Sequence, residues 1–383
     1  MSAPYMGGHT GPPLRDVRVL DLTRLLPGAY ATLLLADLGA EVIKIEDPRG
    51  GDGMRSLRSQ PDGRNPYFER LNRNKRSVTL DLRKPEATGV LDALLVRADV
   101  IVDSFRPSTA RRLRVDPETI RSRHPRLICA SISGFGARGP YVDRAAHDVN
   151  YQALAGLLRP PALPGPLIGD IGSAMQAAMR ISAALFHRSR TGLGSAVVVS
   201  IHEAALDWSM FPTTGDLASA CYNLYETADG QWLALGALES KFWKGFCERI
   251  ERPDLVPLQH APEPDRTRVV NDVRAVLRTR TRAEWLERFA GDDVCLTTVY
   301  EPDEVQRDPH VVALGAAVRL PPSPLDGFGG TSPPSPLGGF GGTGKPDTTY
   351  AHAPALGVDT DAVLEEAGID EEQRVRLRAA GVI

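Results

Sequence analysis

The segment VRVLDLTRLLPGAYATLLLADLGAEVIKIE, residues 17–46, reads as strand, helix and strand in succession. Residues 17–22 and 41–46 are short runs rich in branched apolar side chains, the pattern of buried strands. Between them residues 30–38 (YATLLLADL) read as a helix that Gly39 stops. The same rhythm continues outward. A helix at 86–98 feeds a strand at 100–103. Asp116, Pro117 and Glu118 combine an N-cap, a proline at the first helical position and an acidic first turn, and that helix leads to a strand at 126–131. A long apolar helix at 171–187 precedes a strand at 196–200. Such alternation predicts a parallel sheet covered by helices. The expected fold class is α/β, with a large doubly wound, Rossmann-like domain built from residues 1–205 and 345–383.

From about residue 225 the pattern changes. A strand at 231–237, helices at 241–250, 265–278 and 282–289, and a strand at 294–298 predict a smaller α+β domain over 225–318. Residues 319–344 contain PPSPLDGFGGTS followed by PPSPLGGFGGTG, a 12-residue unit copied once. Its proline and glycine content cannot pack a core and predicts a surface loop. Two short charged helices are expected at 360–367 and 371–379.

The chain's 383 residues include 45 Lys+Arg against 48 Asp+Glu, a net charge of −3, which argues against a dedicated nucleic-acid binder. With 42% hydrophobic and 24% charged residues a sizeable core can form. Six of the basic residues are lysines and 39 are arginines, so guanidinium forks predominate for gripping phosphate or carboxylate. Cys129, Cys221, Cys247 and Cys295 lie 92, 26 and 48 residues apart, without CxxC or zinc spacing. A reducing compartment and no metal are expected. No secretion signal is read at the N-terminus, and no run reaches the ~18 apolar residues of a spanning helix. The expectation is a cytoplasmic protein with no membrane partner.

Two motifs mislead. Gly134, Gly136 and Gly139 spell GxGxxG after a strand, but Pro140, Tyr141 and a polar stretch follow where a dinucleotide site needs a helix N-terminus. His202-Glu203 begins HEAAL, with Leu206 where a zinc protease needs its second histidine. Four groups remain. AHDVNY at 146–151 places His147 and Asp148 together at a loop-to-helix junction; a structural cap is the bland reading. Asp170 in GDIG sits at or near the start of the long apolar helix, either as an ordinary cap or as a carboxylate inside a site for developing negative charge. Glu239 ends an apolar strand just before a helix. Cations recur at loop positions, with Lys44, RLNRNKR at 70–76 and SFRPSTARR at 104–112 able to converge on a polyphosphate at the carboxyl ends of strands.

The order LDLTRLLPGAYATLLLADLGAEVIKIEDP, LNRNKRSVTLDL, DSFRP, PRLICASISGFGARGPY, AHDVNY, GDIG and LEEAGIDEEQRVRLRAAGVI resembles the family III CoA-transferase superfamily over nearly the whole chain. HDVNY is most like the α-methylacyl-CoA racemase branch. The resemblance implies that His147 and Asp170 are the catalytic acid-base pair and that Glu239 orients the histidine. It implies that Lys44, Leu71, Asn72, Arg73, Asn74, Arg106 and Arg112 line the nucleotide of an acyl-CoA substrate, with Ala146, Asp148, Asn150 and Tyr151 closing on the thioester. It also implies an interlocked homodimer.

The chemistry suits those residue types. Inverting the carbon next to a thioester removes a weakly acidic proton from one face and returns one on the other, which takes two groups of different resting protonation. A glutamate on the far ring nitrogen would fix the tautomer of His147. The enolate oxygen needs donors, expected from the helix start after Asp170. The implied function is racemisation at C2 of 2-methyl-branched acyl-CoA, with CoA entering as part of the substrate and no other cofactor. Two alternatives stand: a CoA-transferase in which Asp170 is the nucleophile, and an acyl-CoA-binding paralogue without turnover.

Overall fold

The computed structural model describes residues 12–57, 65–163, 165–212, 215–301, 304–313, 318–319, 331–332 and 352–383. They fall into two compact units, Met1–Met210 with Gly315–Ile383, and Phe211–Leu314.

The first unit is built on β1 (Arg18–Leu22), α1 (Leu25–Asp37), β2 (Glu41–Glu46), α2 (Pro66–Asn72), β3 (Lys75–Thr79), α3 (Ala87–Leu95), β4 (Val100–Asp103), α4 (Pro107–Leu113), α5 (Pro117–Arg123), β5 (Ile128–Ser133), α6 (Asp148–Leu154), α7 (Ile168–Thr191), β6 (Ala196–Ser200) and α8 (Ile201–Ser209). The strands form one sheet in the order β3-β2-β1-β4-β5-β6, with every neighbouring pair parallel. The order reverses between β1 and β4, so the loops leaving these strands diverge and open a crevice at their carboxyl ends.

Side-chain alternation divides the core. Val19, Val100, Val102, Ile128, Ala130 and Ile132 point to one face, where they meet Leu34 and Leu35 of α1 and Ala174, Ala177 and Ile181 of α7. Leu20, Ile43, Ile101 and Cys129 point to the other, against Leu91 and Leu94 of α3 and Ile120 of α5. Both faces are buried, which is why these strands read as continuous apolar runs. The Asp116 side chain accepts the Thr119 N–H at 3.0 Å, the N-cap that its sequence announces.

Two readings need correction. The helix expected at 30–38 starts at Leu25, because Pro27 falls in the first turn, where an N–H has no intrahelical acceptor and a proline is tolerated. Gly28 is needed there: a Cβ would lie 2.2 Å from Thr23 Cβ. Residues 70–76, read as loop charge, are the end of α2 and the start of β3.

The second unit holds β7 (Tyr222–Glu226), β8 (Trp232–Gly236), α9 (Ser240–Arg249), α10 (Asp265–Leu277), α11 (Arg282–Arg288), β9 (Leu296–Thr298) and α12 (Pro309–Ala313). The three strands form an antiparallel sheet, with Tyr225, Leu233 and Leu235 packed on Trp243, Phe246, Val273 and Trp285. The indole N–H groups of Trp243 and Trp285 donate to the carbonyls of Leu255 and Leu277. β10 (Val318–Arg319) and β11 (Thr331–Ser332) pair antiparallel. Apart from those two strands, the duplicated segment lies outside the described residues.

In the first unit α13 (Thr360–Glu366) and α14 (Glu371–Ala379) follow, and Val363, Leu364, Val382 and Ile383 join the core on the α3 face. The Asp359 carboxylate accepts the Ser77 N–H at 2.8 Å, and the Asp81 N–H donates to the Val382 carbonyl. Among the described residues no helix is long and apolar enough to cross a membrane.

Candidate active site

His147 is the exposed N-cap residue of α6, and Asn150 Oδ1 accepts its N–H at 3.0 Å. Asp148, next in sequence, is 3% exposed. Its Oδ1 accepts the N–H of Asp170 at 2.9 Å, tying the first turn of α6 to the first turn of α7. Its Oδ2 accepts from Gln152 Nε2, which also donates to the Pro166 carbonyl at 3.1 Å. The structure therefore brings the segments carrying His147 and Asp170 together through Asp148.

Helix α7 begins at Ile168, so Asp170 is its third residue and not its cap. Gly169 and Gly172 serve close approach. A Cβ on Gly169 would sit 3.0 Å from Asp148 Oδ1, and one on Gly172 would sit 2.9 Å from Trp208 Nε1. The earlier start also moves the backbone donors. The Ile171 N–H already donates to the Leu167 carbonyl and the Asp170 N–H to Asp148, which leaves Ile168 and Gly169 with the open N–H groups of this terminus among the described residues.

Burial, and next the Asp148 carboxylate, push the Asp170 carboxyl up to about 7. The N-terminal helix dipole acts in the opposite sense. Tyr151 is buried, and its hydroxyl donates to the Ala146 carbonyl at 3.2 Å. Burial and the nearby Asp170 hold that hydroxyl up at about 12, with the Arg106 guanidinium opposing them. Gly134 makes room for it, since a Cβ there would lie 2.2 Å from the Tyr151 oxygen. The GFGARG run thus turns beneath Tyr151, with Gly136 and Gly139 at positive φ and no helix before Asp148. Glu239 belongs to the second unit, where it is the exposed N-cap residue of α9.

The seven residues expected around the nucleotide separate. Lys44 is 0% exposed; its Nζ reaches the Thr23 carbonyl and Asp52 Oδ2, each at 3.0 Å. Asn72 is equally buried and accepts from Lys75 Nζ at 2.9 Å. Arg73 is 4% exposed and paired with Asp37 at 2.7 Å, and Asn74 Nδ2 donates to the same carboxylate at 3.4 Å. The sequence displays these groups as cations and amides on a loop, and folding turns them inward. Leu71 is half-buried, and Arg106 and Arg112 are exposed.

Arg112 lines a cavity of about 240 Å³ at the carboxyl ends of β1, β2 and β4, with Arg24, Asp47, Asp81, Arg83, Phe105 and Thr109. Arg83 pairs with Asp47 and Asp81. Arg24 lies over the Phe105 ring at 5.4 Å, and its N–H donates to Ser104 Oγ, joining the two diverging loops. Arg24, Arg83 and Gln152 were missed from sequence. Arg24 lies in a stretch read for its strand and helix, and nothing in a single chain distinguishes Gln152 from a surface amide.

Residues 14–360 match the family model for CoA-transferase family III. The chain is 30% identical to human alpha-methylacyl-CoA racemase over 97% of each chain. It is 34% identical to the succinyl-CoA–D-citramalate CoA-transferase of Chloroflexus aurantiacus, covering 79% of this chain and 82% of that one. The crystal structure of Rv3272 from Mycobacterium tuberculosis superposes with a TM-score of 0.77 at 27% identity, covering 93% of this chain and all of the other.

Proposed function

The chain belongs to CoA-transferase family III, and we propose that within it the protein racemises 2-methyl-branched acyl-CoA thioesters at C2 by two-base proton transfer. The observation that carries this reading is the 2.9 Å bond from the Asp170 N–H to Asp148, which joins a half-buried carboxyl to the segment that presents an exposed histidine, burial pushing that carboxyl up to about 7. A group poised there holds or releases a proton near neutrality, as either member of the pair must. His147 takes the C2 proton in one direction while Asp170 supplies one on the opposite face, and the roles exchange in reverse. The open N–H groups of Ile168 and Gly169 are the backbone donors available to the enolate oxygen. The orienting role of Glu239 rests on resemblance alone. Arg106 and Arg112 meet the CoA phosphates, with the 240 Å³ cavity taking part of the nucleotide. No cofactor beyond substrate CoA takes part, and the protein works in the cytoplasm.

CoA transfer is the second reading, supported by a transferase relative at an identity comparable to the racemase's over a shorter part of the chain. There Asp170 would attack the thioester carbonyl and expel CoA thiolate, giving a mixed anhydride; the thiolate would then attack the aspartyl carbonyl and release the acyl group as its free acid, leaving an aspartyl-CoA thioester for the acceptor acid.

Incubating a 2-methylacyl-CoA in deuterated water tests the choice. Racemisation incorporates one deuterium at C2 without any acceptor acid. Absence of C2 label, together with hydroxylamine trapping at Asp170 when an acceptor acid is present, establishes the transferase.

The same proposal includes a homodimer of interlocked chains. Its support is an exposed apolar stripe on α7, with Met175, Met179 and Phe186 46%, 64% and 65% exposed, continued by Val198 on β6, which is an edge strand of the sheet.

A further inference from the structure

Asp148 was expected at the thioester, yet it is buried with both oxygens engaged, and Gln152, 2% exposed, holds it from one turn along α6. We infer that Asp148 and Gln152 are positioning residues, a buried clamp that seats the first turn of α7 and keeps a negative charge beside Asp170. The inference deepens the two-base reading and rests on it for its catalytic meaning.

The geometry has three parts. Asp148 Oδ1 accepts the backbone N–H of Asp170 itself at 2.9 Å, so the carboxylate fixes the residue whose side chain is to react. Gln152 Nε2 satisfies the other oxygen and bridges to the Pro166 carbonyl at 3.1 Å, which anchors the segment entering α7. Gly169 closes the fit, because any side chain there would press on Asp148 Oδ1. A neutral amide at 148 could accept the same N–H. What only a carboxylate adds is charge, and a like charge this close favours the protonated form of Asp170. The clamp thereby adds to burial in favouring the protonated carboxyl of Asp170, the form that can return a proton to C2.

Other elements around α7 leave that role to Asp148. Tyr151 and, near it, Arg106 also face this end. On α1 the titratable groups are Tyr30 and Asp37, and these interact with Arg73. β5 and β6 carry no charged side chain. On α8 the Asp207 carboxylate is engaged by Gln176, and Ile201 and the Trp208 indole are what approach Gly169 and Gly172. His202 on α8 packs against Phe135, and Glu203 is exposed.

The test is a direct titration of aspartate carboxyl carbons by NMR in the full chain, with Asp170 assigned through Asp170→Asn. In the wild type Asp170 titrates far above an ordinary aspartate. Asp148→Asn, which keeps an acceptor but removes the charge, moves that titration down toward the ordinary range, and in the C2-exchange assay the corresponding limb of the pH profile moves to lower pH in both directions. Gln152→Leu lowers the protection of the Asp170 amide against hydrogen exchange and lowers kcat with KM little changed. A folded Asp148→Asn variant with unmoved Asp170 titration overturns the charge role. Unchanged amide protection in Gln152→Leu removes Gln152 from the clamp. If Asp148→Asn does not fold, an ordinary titration of wild-type Asp170 overturns the inference by itself. Failure of the racemase reading looks different: the titrations behave as described while no C2 exchange occurs.

Discussion

At the scale of single residues, the acid-base pair and the space around it give sharp expectations. His147→Ala and Asp170→Ala should each lower C2 exchange by about a hundredfold or more, the usual contribution of a general acid or base, while calorimetry finds free CoA bound as before. Near wild-type exchange in His147→Ala would remove the racemase assignment. Arg112→Ala should weaken free CoA about tenfold, the scale of one charge-assisted hydrogen bond, with less effect on exchange at saturating substrate. Gly134→Ala should cost about 1–3 kcal/mol of stability in thermal melts, as overpacking does, because its methyl meets the Tyr151 oxygen. Adding Tyr151→Phe should recover part of that loss, and a neutral Gly134→Ala would mean that α6 can yield.

Elements carry the electrostatic consequences. Lys44, on β2, and Lys75, on β3, share Asp21 on β1, all three with 0–5% exposure. Burial alone would raise the Asp21 carboxyl, but the two lysines overcome it and hold it well below the usual range. Lys75 is pulled down to about 8, chiefly by burial. Asp21→Asn leaves two buried cations short of a partner and should cost about 3–5 kcal/mol in denaturant unfolding. The first turn of α7 behaves oppositely. Asp170 is raised to about 7 from an unfolded value of 3.8, so the folded state binds more protons between those values and loses stability as pH rises through them. Asp170→Asn should therefore gain melting temperature over wild type from about pH 4 to about pH 8; a constant gap would contradict the raised value.

The same elements show what a sequence can disclose. Strand β6 at Ala196–Ser200 and the cap at Asp116 were legible to the residue, since apolar runs and capping chemistry are local. Helix α2 and strand β3 were not, because RLNRNKR advertises charge and only the fold reveals that Asn72 and Lys75 point into a buried network. At the site, His147 and Asp170 could be named from motif order. The bond that joins their segments, from the Asp170 N–H to Asp148, spans 22 residues and has no local signature.

For the whole molecule, the apolar stripe of α7 bears on assembly. Sedimentation equilibrium should return twice the chain mass, and Met179→Glu with Phe186→Glu should shift it toward one chain, since charge at a core interface position is strongly disfavoured. An unaltered mass would place the interface elsewhere. The sheet itself has a consequence for synthesis. β3 waits for Asp359, 282 residues downstream, to bond Ser77, and for α13 to cover its neighbours. On the ribosome the first strands of the sheet thus emerge long before the last part of their cover exists, and the apolar surface around β3 stays open to other chains in the interval. Translation that stalls after β6 leaves that side of the sheet covered by α3 and α5 but lacking Val363, Leu364, Val382 and Ile383, so the late helices complete this side of the core last.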